Sequence, residues 1–214
     1  MAYKNIISIV AIVLLAFFSF LMLRIMFIYI PIKNDVGFLQ LKQGYIDITE
    51  WRIAFFIHVF TSILALLAGF SQFNKSILKG HPKLHRSLGY VYIVNILLVT
   101  GPASLLMSFY ANGGLGSQVG FVLLAVLWIY FTVRALYEAV KKRFKAHRIY
   151  MIRSFALTLS AITLRCWKVF FANFTDIPPM DRYRLIAWLG WTLNLLIAEW
   201  YIYKFVVQRN KNIL

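Results

Sequence analysis

Four histidines carry the most versatile side-chain chemistry of this 214-residue sequence, because imidazole binds metals and exchanges protons near neutral pH. His58 lies within an apolar stretch, His81 and His85 precede another, and His147 begins a third. Both His85 and His147 are followed directly by arginine. This repeated pair predicts that the two imidazoles lie at the same end of a helix bundle.

Two imidazoles that face each other from neighbouring helices can be the axial ligands of one haem. His85 and His147 therefore predict haem b as a cofactor, with the two histidines on the iron and Arg86, Arg148 or Arg153 on the propionates. The chain has four histidines, and His58 has no second histidine at its depth, so at most one such haem is expected. In the alternative interpretation, both histidines simply lie in the interface near lipid phosphates.

A second candidate site follows from helical spacing. His58 and Gln72 share one face of their helix, and Thr158 and Arg165 share one face of another. His58 and Arg165 fall at similar depth, about 10 Å below one surface at ~1.5 Å per residue. These four residues are predicted to line a ligand-binding site. Close packing of small residues, and an Arg165 that reaches out to head groups, are the alternatives.

Four further charged residues lie within apolar stretches, where an unpaired charge is costly. Arg134, Glu138, Arg153 and Glu199 carry both signs and fall near one end of their helices. We predict that they form a structural ion network, because buried charges are normally paired. A site for a substrate or a proton is the alternative.

The elements that must position these residues are long apolar segments. The chain is 61% hydrophobic and 14% charged, whereas soluble domains carry about 25% charged residues. Apolar runs of ~20 residues can cross a bilayer. The sequence thus predicts an all-α, polytopic membrane helix bundle in a single domain, 1–214. Its six helices are expected at about 5–30, 51–73, 87–110, 118–140, 148–171 and 184–206.

Lys and Arg concentrate in alternate connections, which places those connections in the cytoplasm. With six spans, both chain ends are then cytoplasmic, and the expected location is the inner (cell) membrane. This placement also argues against nucleic acid as the partner of a chain whose net charge is +16, and favours the lipid bilayer. The single cysteine, Cys166, excludes an intramolecular disulfide.

Several motifs resemble an uncharacterised bacterial family of predicted membrane proteins. The specific ones are HRSLGYVY at His85–Tyr92 and HRIYMIRSFALT at His147–Thr158, and the resemblance extends from about Ala54 to Arg165, half of the chain. It implies a multi-pass membrane protein of unknown activity. The paired histidines are distantly similar to those of b-type membrane cytochromes, which implies that they matter without fixing their role.

Three hypotheses about function stay open. The first is a small haem-binding or redox protein that uses His85, His147 and Arg153. The second is a bundle that binds or transports a small molecule or lipid, a quinone among them, at His58, Gln72, Thr158 and Arg165. The third is a structural or assembly partner whose polar residues only lock the bundle. No soluble-enzyme motif is present in the sequence, and it identifies no catalytic residue.

Overall fold

The computed structural model describes residues 2–208, apart from the side chains of residues 2–9, 11, 12, 15 and 75. Every regular element in this part is helical, which confirms the all-α prediction there. The elements are α1 (Ala2–Phe27), a 3₁₀ helix (Gly37–Tyr45), α2 (Thr49–Ser71), α3 (Lys75–Gly80), α4 (Pro82–Val94), a π-helical segment (Asn95–Thr100), α5 (Gly101–Ser108), α6 (Leu115–Val140), α7 (Phe144–Thr158), α8 (Ser160–Phe174), α9 (Pro179–Tyr201) and a second π-helical segment (Ile202–Val207).

Five helical stretches of the described residues are long and apolar enough to cross a membrane. They correspond to the second to sixth predicted segments and run over Thr49–Ser71, Pro82–Ser108, Leu115–Val140, Phe144–Phe174 and Pro179–Val207. Three of them begin several residues earlier than expected, because a helix continues beyond its apolar part into charged residues. Pro82 and Pro179 stand at first helical positions, where proline's fixed φ and missing N–H are tolerated.

The first predicted segment falls on α1. Its described side chains give an apolar helix over Ala16–Phe27, and the earlier part lies largely outside the described side chains. The sixth span therefore stays a prediction. The chain forms two compact units, Met1–Arg52 and Ile53–Leu214, and the single membrane domain also stays a prediction.

The core of the second unit depends on close approach of three helices at Gly69 of α2. A Cβ atom at this position would lie 2.6 Å from the Tyr92 ring and 2.7 Å from the Phe155 ring. Tyr92 of α4 has no exposed surface, and Phe155 of α7 is buried. Only glycine therefore allows α2 to pack this closely on α4 and α7.

The π-helical segment Asn95–Thr100 has a local cause. Pro102 has no N–H to donate to the helix, and its ring clashes with the carbonyl one turn before it. The N–H of Gly101 bonds the carbonyl of Ile96, five residues back, so the helix widens by one residue at this point. Widening of this kind rotates the residues that follow, and it decides which face Thr100 and Ser104 present.

The span Phe144–Phe174 is divided at Leu159 into α7 and α8. Next to this junction, Thr158 Oγ1 donates back to the Ser154 carbonyl at 3.2 Å, an arrangement that commonly bends helices. Residues before and after Leu159 therefore do not continue one straight face.

Candidate functional site

The first candidate site is the basic-end pair, which we define as His85 and His147. Both lie in the first turn of their helices, α4 and α7. His147 Nδ1 lies 2.8 Å from the Ala135 carbonyl of α6. Because a carbonyl only accepts, Nδ1 carries the proton, and Nε2 of the neutral ring keeps its lone pair. Metal-ligating histidines are typically oriented in this way.

His85 has the complementary feature. Its Nδ1 is buried and has no hydrogen-bond partner among the residues that the structure describes. The two imidazoles of the basic-end pair are close enough for their charges to interact. Gln72 Nε2 donates to the His85 carbonyl at 3.3 Å, which fixes the start of α4 on the end of α2. One turn further along α4, Gly89 leaves room for the Gln72 amide, which would meet a Cβ at 3.0 Å.

The arginines near this pair differ in their environment. Arg86 and Arg148 are exposed. Arg153 instead forms a two-point ion pair with Glu199 of α9, including Nη2 to Oε2 at 2.9 Å. Its guanidinium also lies 5.4 Å from the centre of the Tyr150 ring. Arg86 and Arg148 are thus better placed than Arg153 to meet an anionic group at the basic end.

Arg134 and Glu138 form the second ion pair, with Nη2 and Oε1 3.0 Å apart along α6. Glu138 is buried and also has Arg143 at 3.7 Å. The Arg134 guanidinium lies 5.1 Å from the centre of the Tyr150 ring, so Tyr150 contacts the arginines of both ion pairs. The four charged residues therefore form two pairs joined through an aromatic ring.

Between the two ends of the spans lies a hydroxyl network, defined by Tyr92, Trp128, Thr132, Ser154 and Thr158. The Tyr92 hydroxyl lies 2.7 Å from Ser154 Oγ and 2.9 Å from Thr158 Oγ1. Trp128 Nε1 donates to Thr158 Oγ1 at 2.9 Å, and Thr132 Oγ1 lies 2.7 Å from Ser154 Oγ. All five side chains are buried, and each has a partner, which satisfies their polar atoms inside the bundle.

The second candidate site is the His58 cluster, defined by His58, Thr100, Ser104 and Arg165. His58 Nδ1 lies 2.8 Å from Ser104 Oγ and 3.2 Å from Thr100 Oγ1. Ser104 Oγ donates its only proton to the Thr100 carbonyl at 2.6 Å. It must therefore accept from His58, which places the proton of a neutral imidazole on Nδ1 and leaves Nε2 as an acceptor.

Arg165 belongs to the same cluster because its charge acts on His58. It is exposed, and one of its donors bonds the Ala161 carbonyl within α8. The His58 cluster thus combines a hydrogen-bond acceptor and a cation at the opposite half of the spans from the basic-end pair.

The sequence matches the model of a family described as a predicted membrane protein, DUF2306, over residues 55–202. The chain belongs to the DUF2306 family. No curated protein and no solved structure matches it. The DUF2306 match includes both candidate sites, the hydroxyl network and both ion pairs, whereas α1 and the 3₁₀ helix lie outside it. A multi-pass membrane protein of unknown molecular function is the identity that this match supports.

In this DUF2306 chain, the four residues predicted to line one ligand-binding site fall into three different groups. His58 and Arg165 come within electrostatic range, but Gln72 lies beside His85 and Thr158 belongs to the hydroxyl network. Sequence reasoning missed Ser104 and Thr100, for which Gly101-Pro102 was the available signal, since it marks a disturbed helix register. It also missed the role of Tyr92, although HRSLGYVY placed that residue in a motif. Cys166 is exposed and belongs to neither site.

Proposed function

We propose that this protein is a small membrane cytochrome that binds one haem b through His85 and His147. The observation that carries the proposal is the orientation of His147, whose Nδ1 donates to the Ala135 carbonyl and leaves Nε2 free for a metal. The buried Nδ1 of His85 supports it, because an unsatisfied buried nitrogen calls for an ion or a ligand.

The residues around the basic-end pair fit a haem. Arg86 and Arg148 are exposed beside the two histidines and suit the propionates. Two turns further in, Tyr92 and Ser154 hold α4 and α7 together, so a haem would lie at the first turns of the two helices.

Bound haem would supply one-electron redox chemistry. The chain's own residues would orient and anchor it. The Ala135 carbonyl holds the tautomer of His147, and Gln72 holds the backbone of His85. Arg153 serves the ion pair with Glu199 in this proposal, so it is not needed for the propionates.

The test is an absorption spectrum of protein purified in mild detergent from haem-sufficient cells, before and after dithionite. A Soret band that shifts and sharpens on reduction is expected, and His85→Ala or His147→Ala should abolish it. His81→Ala is the matched control, because His81 is an exposed histidine of the same turn region and should leave the band unchanged. Full-length, pure and folded protein with no Soret band would overturn the proposal.

For topology, we propose six spans, with α1 as the sixth, both ends in the cytoplasm and the chain in the inner (cell) membrane. The support is the accumulation of Lys and Arg between α2 and α4 and between α6 and α7, on one side of the spans. Fusions of alkaline phosphatase and of green fluorescent protein to each end test it. Fluorescent, phosphatase-inactive fusions at both ends are expected, and ends on opposite sides would reduce the number of spans to five.

A further inference from the structure

The His58 cluster contains one polar atom, His58 Nε2, for which the described residues provide no hydrogen-bond partner. Because Ser104 Oγ donates its proton to the Thr100 carbonyl, it accepts from His58, and Nδ1 of the imidazole carries the proton. Nε2 therefore presents a lone pair, and among the residues that the structure describes no donor reaches it. His58 is partly exposed, so a ligand can approach it from the side of the bundle.

The groups around His58 Nε2 determine which class of ligand could bind there. Arg165 adds an exposed cation with several N–H donors. A group that suits both residues donates one hydrogen bond to Nε2 and accepts one from the guanidinium. A carboxylate lacks the donor, and its charge would face the imidazole lone pair. A quinone carbonyl also lacks the donor. A phenolic hydroxyl meets both requirements with a single oxygen atom.

We propose that the His58 cluster binds the head group of a membrane quinol, with the quinol hydroxyl donating to His58 Nε2 and its oxygen facing Arg165. Ser104 is a positioning residue, because it holds the His58 tautomer in the form that accepts. Depth supports a lipid-soluble ligand, since His58 lies about 13 Å along α2 from its start at Thr49, at ~1.5 Å per residue. The proposal does not depend on haem binding, because no residue is shared with the basic-end pair.

The experiment measures binding of decylubiquinol and decylubiquinone to the purified full-length protein by isothermal titration calorimetry, with the quinol kept reduced. The wild type is expected to prefer the quinol. His58→Asn keeps a donor for Ser104 but removes the acceptor, and it should weaken quinol binding about tenfold, the value of one lost hydrogen bond. Quinone binding should hardly change, so the preference disappears.

Ser104→Ala is the second variant, and it keeps the test decisive where His58→Asn fails to fold. Without Ser104, the imidazole is free to carry its proton on Nε2, which then accepts nothing. Quinol affinity should fall while quinone affinity holds. His81→Asn is the matched control and should bind both ligands as the wild type does, because His81 is exposed at the far end of the bundle.

Two results would overturn the proposal. The first is absence of quinol binding, or quinol binding that neither variant weakens. The second is tighter binding of decanoate than of decylubiquinol, with loss in Arg165→Gln but not in His58→Asn, since that pattern would assign the cluster to fatty carboxylates. Haem content, measured on the same samples, distinguishes failure of this inference from failure of the cytochrome proposal.

Discussion

The basic-end pair and the His58 cluster use the same side chain in two different settings. In both, Nδ1 of a histidine is bonded within the protein, to the Ala135 carbonyl for His147 and to the Ser104 hydroxyl for His58. In both, Nε2 is left as an acceptor. At the basic end a second imidazole lies nearby, whereas at the other site the neighbour is Arg165.

The group beside the free Nε2 determines which ligand each site can bind. Two neutral imidazoles provide two lone pairs, which fit a metal centre. One imidazole and one guanidinium provide an acceptor and several donors, which fit an uncharged hydroxyl compound. The hydroxyl network lies between the sites and connects α4, α6 and α7, so the core can hold both geometries without sharing a ligand residue.

Substitution of Gly69 should affect both sites most strongly, because α2, which contains His58 and Gln72, packs on the core at this residue. Gly69→Leu forces a side chain into the Tyr92 and Phe155 rings and should cost about 3 kcal/mol or more of unfolding free energy. Thermal unfolding in detergent, with haem content and quinol binding of the folded fraction, checks this. Gly116→Leu is the control, because a side chain there meets open space. If the folded fraction lost only haem or only quinol binding, the two sites would not depend on the same core.

The next effect comes from the hydroxyl network. Thr158→Val keeps the shape of the side chain but leaves the Trp128 N–H without its acceptor, and should cost about 1–3 kcal/mol. Thr158→Ser keeps the hydroxyl and should lie much closer to the wild type. The comparison of the two variants by thermal unfolding isolates the hydrogen bond from packing. Equal stability of both would show that the network contributes nothing measurable.

A smaller effect is expected at Arg153, and it separates a structural from a cofactor-binding role. Arg153→Gln breaks the pair with the partly exposed Glu199 and should cost roughly 1 kcal/mol. The Soret band should keep its position and intensity. The matched variants Arg86→Gln and Arg148→Gln, tested singly and together, should instead lower haem retention. If only Arg153→Gln lowered haem retention, Arg153 would be assigned to binding the haem propionates.

The sequence predicted the helical class and the five described spans, because long apolar runs depend on composition alone. It placed His58 and Arg165 at similar depth, since both positions follow from counting along helices. It did not predict that Thr158 faces Tyr92 instead of His58. That outcome depends on the break at Leu159 and on the wider turn before Gly101, which change the rotation of helices by amounts that apolar periodicity does not record.

Outside the predicted spans, Lys42 is a buried basic residue, and the shift of its pKa predicts how stability changes with pH. Lys42 is 2% exposed, with its Nζ 5.0 Å from the centre of the Tyr45 ring and 6.0 Å from that of Trp51. Burial lowers the pKa of Lys42 from 10.5 to about 8. Because the folded protein then binds fewer protons than the unfolded chain between these values, stability should rise with pH from about 8 to about 10.5.

Thermal unfolding in detergent across this pH range checks the prediction. Lys42→Met should remove the rise, because methionine fills the same aromatic surroundings without a titrating amine. Lys33→Met is the control, since Lys33 is exposed and its removal should leave the slope intact. A slope that persists in Lys42→Met would assign the pH dependence to another group. Loss of the slope in Lys42→Met alone would assign the pH dependence to the burial of Lys42.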